Sequence, residues 1–387
     1  MSVLSDRTPG RTDPPLGERS DWRLRLRLLR SRIIASKRFR SVAARLPGIR
    51  RVARGRAMAL FDMTAGFAYT QTLRAAIESG LLTGLKDRAL MRSEIAVLPN
   101  LADLPPASVD ALLRAAEGLD LLVRVGDRYA LGDAGASVVA EPGLAEMVRH
   151  HALTYRDLAD PLLLLRGEGR AETARFWQYA GGRADGGTTP EGAERYSALM
   201  SATQDFVSRE VTTAYPFARH RHLIDIGGGS GAFALAVARS TPAIRVTVFD
   251  LPDVAPLAEQ RFAAEGFGER CDAAGGSFHD DDLPRGDLYS LVRVLYDHDD
   301  EPALDLLRRV HAAMPDGASL IVAEPMAGLK GHERVGSYFA MYLAAMQSGR
   351  CRTPREIIAM LREAGFSEAR ERPVTSPLFT GLVVAKR

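Results

Sequence analysis

Two cysteines in 387 residues, Cys271 and Cys351, exclude a disulfide framework, and their separation matches no metal-ligand spacing. Such sparing use suits a reducing, cytosolic compartment. No run of eighteen apolar residues occurs, so no transmembrane helix is expected. The opening MSVLSDRTPGRTDPPLGERS lacks the apolar stretch of a secretory signal. Its Pro, Gly, Ser and charged residues read as a disordered tail over residues 1–20. A large charge of one sign is missing as well. With 51 Lys and Arg against 48 Asp and Glu the net charge is +3, which asks for no nucleic-acid partner. What is present, 46% hydrophobic and 26% charged residues in a length suited to two or three domains, is the composition of an ordinary globular chain.

The charge is unevenly spread. From Arg19 to Arg56 stand thirteen Arg and one Lys against a single acid, Asp21. Trp22, Leu24, Leu26, Leu28, Leu29, Ile33 and Ile34 recur in that stretch at roughly helical spacing. Residues 21–57 therefore read as a basic amphipathic arm suited to the anionic cytoplasmic face of a membrane, where each basic residue is worth about 1 kcal/mol. A solvated helix face or a dimer arm accounts for the same residues.

From Phe61 to Leu85 the pattern is helical, with Gly80 as a C-cap. Short helices then lead into strand, Gly-Asp turn and strand (LLVRV, GD, RYAL), the order of a winged helix inside residues 58–180. Its candidate recognition helix, Ser108–Leu119, carries Asp110, Arg114 and Glu117 and no other charge. A helix built to read DNA presents Arg, Lys, Asn or Gln, so this one reads as a packing element. A further helical run at 146–167 contains His150, His151, Tyr155 and Arg156. A linker at 179–191 and another helix, AERYSALMSATQDFVSREVTTAY, lead into a second domain at 190–387.

After Arg221 strands alternate with helices: HLIDIG, IRVTVFD, LYSLVRVLY, SLIVAEP and LFTGLVVAKR, interleaved with helical stretches at 231–239, 253–265, 300–314 and 353–365. Alternation of this kind means an α/β, doubly wound sheet with ligand sites at the strand C-termini. The first strand runs into LIDIGGGSGAFALAVA, where Gly227, Gly228, Gly229 and Gly231 allow a tight turn and bring backbone close to a ligand. Asp225 stands where a carboxylate accepts a hydrogen bond from a ligand ammonium. Asp250, at the end of the second strand, suits two ribose hydroxyls, although it also suits the N-cap of the next helix. A ligand with both an amino-acid end and a ribose is S-adenosyl-L-methionine.

DIGGGSG, FDLPDVAP, GGSF, LVRVLYDHDDE and IVAEPM, in that order and spacing, resemble the class I S-adenosylmethionine-dependent O-methyltransferases. These have a Rossmann-like methyltransferase sheet behind an N-terminal, mostly helical winged-helix dimerisation domain. The resemblance implies a homodimer, a methyl-transfer reaction and no metal. It assigns Asp225, Gly227, Gly229, Asp250, Leu251 and Arg293 to the cofactor, with Ser277 and Phe278 near adenine. Ser277 departs from the acidic residue that many members have there. More narrowly, DWRLRLRLLRSR, RHHALTYRDLADP and SLVRVLYDHDD look like the branch that methylates the tertiary hydroxyl at carbon 1 of acyclic 1-hydroxy carotenoids. Its neighbours are bacteriochlorophyllide C-methyltransferases and small-phenol O-methyltransferases. A reading of another class is a winged-helix regulator that senses the cofactor without turnover.

Members that act on phenols have a histidine base in a pattern like LHDWSDE. Aligning it with YDHDDE puts Tyr296 at the histidine, Glu324 at the glutamate that orients it, and Cys351 at a third acid. A tertiary alcohol is too weak an acid for imidazole to ionise beforehand, so its proton leaves late. Tyr296 then acts as a hydrogen-bonding orienter, and His298 is the nearest alternative base or else a surface residue of the turn. Asp297 can polarise either. Asp299, Asp300 and Glu301 are first-turn acids that favour the positive end of a helix, in a strand-to-helix sequence expected to remain strand as far as Leu295. His150, His151 and Tyr155 face the acceptor or fill the core. Met341, Tyr342 and Met346 line a channel for an isoprenoid chain or pack internally.

Overall fold

The computed structural model describes residues 18–43, 47–168, 171–174, 204–329, 331–375 and 380–387. Most of the expected tail, the 179–191 linker and the start of the helix after it lie outside these residues. The chain forms two compact units, Met1–Gln71 and Thr72–Arg387. Helices Glu18–Ala35 and Lys37–Ala43 belong to the first, so Glu18, Arg19 and Ser20 are helical where a disordered tail was expected. Pro47, preset for a first helical turn, opens a 32-residue helix to Glu78. The boundary expected at residue 57 therefore falls inside a continuous helix. Among the described residues no helix is long and apolar enough to cross a membrane.

In the second unit, helix Pro106–Gly118 buries Val109, Leu113 and Ala116, one stripe at helical spacing. Strands β1 (Leu90–Met91), β2 (Leu122–Val125) and β3 (Arg128–Leu131) form a small sheet in the order β1-β3-β2, with β2 and β3 as an antiparallel hairpin. This helix-and-wing arrangement has its own core around Leu81, Leu82, Ile95, Leu113 and Leu122.

The main sheet has seven strands: β4 (His222–Ile226), β5 (Arg245–Asp250), β6 (Cys271–Gly275), β7 (Leu288–Val292), β8 (Ser319–Glu324), β9 (Arg370–Arg372) and β10 (Gly381–Lys386). Their order is β6-β5-β4-β7-β8-β10-β9, parallel from β4 to β8 and antiparallel at β10. Every residue of β7 and β8 is buried, as a parallel sheet covered on both faces requires. Two apolar cores fill the faces, one around Leu291, Leu307 and Val322, the other around Phe233, Val246 and Phe262. The strand order reverses between β4 and β7, which opens a crevice at their C-terminal ends.

The strands differ from expectation at the end of β7 and in the presence of β6 and β9. β7 stops at Val292 rather than Leu295, because Arg293 takes a left-handed φ of 59° and Leu295–Asp297 forms a 3₁₀ turn. The helix after it starts at Asp300, with Asp299 as N-cap. β6 was not foreseen. Its residues CDAAG carry little strand propensity and are held by pairing along β5 at the sheet edge.

Candidate active site

The crevice begins at the glycine turn after β4. Gly227 has φ 67°, and a side chain there would come within 2.8 Å of Val294. Gly229 has φ 57° and nothing within 4 Å of where a Cβ would stand, so its backbone faces open space. Asp250, at the end of β5, accepts hydrogen bonds from the Gly229 N–H (2.7 Å) and the Leu251 N–H (2.8 Å), and thereby pins the turn. Burial raises its pKa although both bonds oppose that. Asp225 is 1% exposed and accepts from the Ser290 hydroxyl at 2.6 Å through one oxygen. Its other oxygen is enclosed and has no protein partner among the described residues. Burial pushes this carboxyl up to about 7, and the neighbouring Asp250 adds to the rise.

Phe278 reaches the same turn, 3.8 Å from the Cβ position of Gly227. Ser277, beside it, gives its hydroxyl to Asp280 at 3.0 Å, so it serves the local turn. The His298 ring stands perpendicular to Phe278 at 5.8 Å and to His279 at 5.6 Å. The candidate base His298 is therefore turned toward the residues expected near adenine, away from the rings around Tyr296.

The segment 293–298 is held from two sides. Glu324, 1% exposed, accepts the Val294 and Leu295 N–H groups at 3.0 and 2.8 Å through one oxygen. Its second oxygen has no partner among the described residues, and burial raises its pKa to about 8. From the other side the buried Arg352 donates to the Leu295 and His298 carbonyls and to Asp300. Glu324 thus orients the backbone of the turn rather than a basic side chain. Asp297 has an enclosed oxygen without a partner among the described residues, and burial lifts its carboxyl to about 7, against the pull of Arg293 and the Tyr296 hydroxyl.

Tyr296 is buried with Phe339, Tyr342, Leu343 and Met346, most of them from helix Glu333–Met346. Burial first, then the Asp297 charge, raises its pKa well above 10, so its hydroxyl keeps its proton. Two parallel pairs join this helix to helix Pro142–Asp157: His150 to Tyr342 and His151 to Tyr338, each at 2.7 Å. Burial lowers His150 to about 4 and lowers His151 too, so both rings are neutral. Tyr155 lies one turn further along and is half-buried, as is Met341, which does not join the Tyr296 cluster. Tyr338 and Phe339 join it instead. Their spacing with Tyr342 and Met346 along one helical face was the available signal. Among the described residues no three His, Cys, Asp or Glu groups come together as a metal site.

Residues 155–367 match the family model described as an O-methyltransferase domain. The chain is 42% identical to demethylspheroidene O-methyltransferase of Cereibacter sphaeroides, over 92% of this chain and 94% of that one. It is 39% identical to the enzyme of the same name from Rhodobacter capsulatus, over 92% and 89%. Among solved structures it is similar to human N-acetylserotonin methyltransferase in complex with SAM. That match has a TM-score of 0.70 at 24% identity, covers 86% and 97% of the two chains, and is a likeness of fold.

Proposed function

The chain belongs to the O-methyltransferase family, and from that premise we propose that it transfers a methyl group from S-adenosyl-L-methionine to the tertiary hydroxyl of an acyclic 1-hydroxy carotenoid. The observation that carries the choice of acceptor is the buried, protonated Tyr296 where phenol-methylating members have a histidine base, packed in an apolar cluster of rings. A long hydrocarbon acceptor gains from every ring it covers, while a phenol would meet no base at that position. The names of the two relatives that span nine-tenths of the chain support the same acceptor.

The residues present fit the cofactor. The enclosed free oxygen of Asp225 suits an ammonium, and the open backbone at Gly229 suits a close-lying carboxylate or ribose. Each Asp250 oxygen accepts one N–H and retains lone-pair capacity for a ribose hydroxyl. When bound, S-adenosyl-L-methionine supplies a methyl group on a sulfonium and leaves as a neutral thioether. The chain's own part is alignment and proton handling. Glu324 and Arg352 fix the turn that carries Tyr296, and the Tyr296 hydroxyl aligns the acceptor oxygen. As the new C–O bond forms, the acceptor proton passes to the Asp297 carboxylate, whose pKa near 7 lets it be free at neutral pH.

The exposed apolar residues Met58, Leu60, Phe61, Met63 and Phe67 of the Pro47–Glu78 helix supply the contact for a second copy in a homodimer. Pure protein incubated with labelled cofactor and a 1-hydroxy carotenoid in detergent should yield the methoxy product, read by mass spectrometry. Labelling of phenols alone would overturn the choice of acceptor.

A further inference from the structure

We propose that helix Glu18–Ala35 lies flat on an anionic lipid bilayer and inserts Trp22, Leu26, Leu29 and Ile33 among the headgroups. At 3.6 residues per turn these four fall in one narrow sector, at positions i, i+4, i+7 and i+11. Arg23 and Arg30 border one side of that sector, and Arg25 and Arg32 the other. The four apolar side chains are 53%, 54%, 54% and 42% exposed. The Arg23 guanidinium sits 5.5 Å over the Trp22 ring, an amphipathic pairing that suits the level where headgroup meets acyl chain. The alternation of Arg and Leu also puts Leu24 and Leu28 on the opposite side. The bordered stripe, rather than a wholly polar back, therefore marks the face that enters the lipid.

Charge decides the occupant. The stretch from Arg19 to Arg56 has fourteen basic residues against Asp21, while the whole chain is only +3, so the remainder is net acidic. An anionic surface would repel that remainder and attract the arm alone. A second copy of the arm would set arginine against arginine. A nucleic acid would match the arginines but leave a tryptophan and three aliphatic side chains uncovered. The basic, apolar-striped helix satisfies both halves of its character only at an anionic interface. The inference is independent of the acceptor, because binding is read without turnover.

The test is flotation of the full chain with vesicles of phosphatidylcholine alone or with one-third phosphatidylglycerol. Binding is expected to the anionic vesicles only, falling steeply as salt rises. In a Trp177→Phe background, where Trp22 is the remaining tryptophan, its emission should shift to the blue on binding. The double variant Leu26→Glu, Leu29→Glu should bind about tenfold more weakly or worse, while Leu24→Glu, Leu28→Glu keeps most of the affinity. Equal binding by the two double variants would overturn the assigned face. Equal flotation with both vesicle types, or loss of the dimer rather than of lipid binding in the stripe variant, would overturn the proposal itself. Salt-dependent capture of RNA with no flotation would do the same.

Discussion

At the ends of β4 and β5 the crevice is made of backbone and carboxyl groups, whereas beyond β7 it is made of rings. On the first side two left-handed glycines shape the turn, their N–H groups held by the Phe249 carbonyl and Asp250, and the Gly229 backbone faces open space. On the second side Tyr296, Phe339 and Tyr342 pack together, and burial keeps Tyr296 and His150 neutral. The first arrangement suits one invariable ligand with a fixed pattern of charges and hydroxyls. The second suits a ligand recognised by its apolar bulk, with chemistry at a single oxygen. Affinity and turnover should therefore separate cleanly between the two sides.

The sharpest test of that separation is Asp297→Asn. It preserves shape but removes the proton acceptor, so turnover should fall by about 100-fold or more while calorimetric cofactor affinity stays nearly unchanged. The wild-type kcat should also decline as pH falls through about 7, where Asp297 becomes protonated, and the variant should lose that limb. Asp250→Ala probes the opposite side. It removes the acceptor of two backbone N–H bonds together with the ribose contact, so cofactor binding should weaken by about 30- to 100-fold. A loss confined to turnover would erase the distinction between the sides.

Tyr296→Phe should lower turnover about tenfold, with cofactor affinity intact. Full turnover in this variant would make Tyr296 a packing residue. For the His150–Tyr342 pair, either single change to Phe removes this part-buried hydrogen bond and should cost about 0.5–1.5 kcal/mol of stability. The double change should cost less than the sum, as a denaturant-unfolding double-mutant cycle would reveal.

The smallest expected effect is on the pH dependence of melting. Asp225, Asp297 and Glu324 have folded-state pKa values raised to about 7, 7 and 8, so the folded state holds their protons more tightly than the unfolded chain does. Their contribution to stability is fully present below the unfolded carboxyl range and is lost as pH rises through 7 to 8. Without cofactor, melting temperature should drop by a few degrees between pH 6 and pH 8. Added cofactor should restore more at the higher pH, where its cation meets an ionised Asp225.

Much of the geometry at the ends of β4 and β5 was legible in the sequence, because a glycine turn between strand and helix and an acid one strand later are local patterns. Less of the acceptor side was. That β7 ends at Val292 depends on Arg293 adopting a left-handed backbone, which neither apolar content nor spacing announces. The enclosure of an Asp297 oxygen is a tertiary effect, with Gly349 from far along the chain pressed against the Asp297 backbone. His298 stands two residues after Tyr296, yet the chain turns extended at His298 and its ring lies against Phe278. Met341 was expected to line a channel or pack internally; the helical face puts Tyr338 and Phe339, not Met341, in the Tyr296 cluster.

The idle second oxygen of Glu324 has an evolutionary meaning. A histidine at position 296 would find, within the same buried turn, a carboxylate already placed beside it and not committed to another side chain. Tyrosine and histidine codons differ by a single base. The scaffold therefore stands one point mutation away from an imidazole at this position, and Tyr296→His is the substitution most apt to open activity toward acidic hydroxyls. A lineage of such enzymes can change the acidity of the alcohol it methylates without first rebuilding the pocket that holds it.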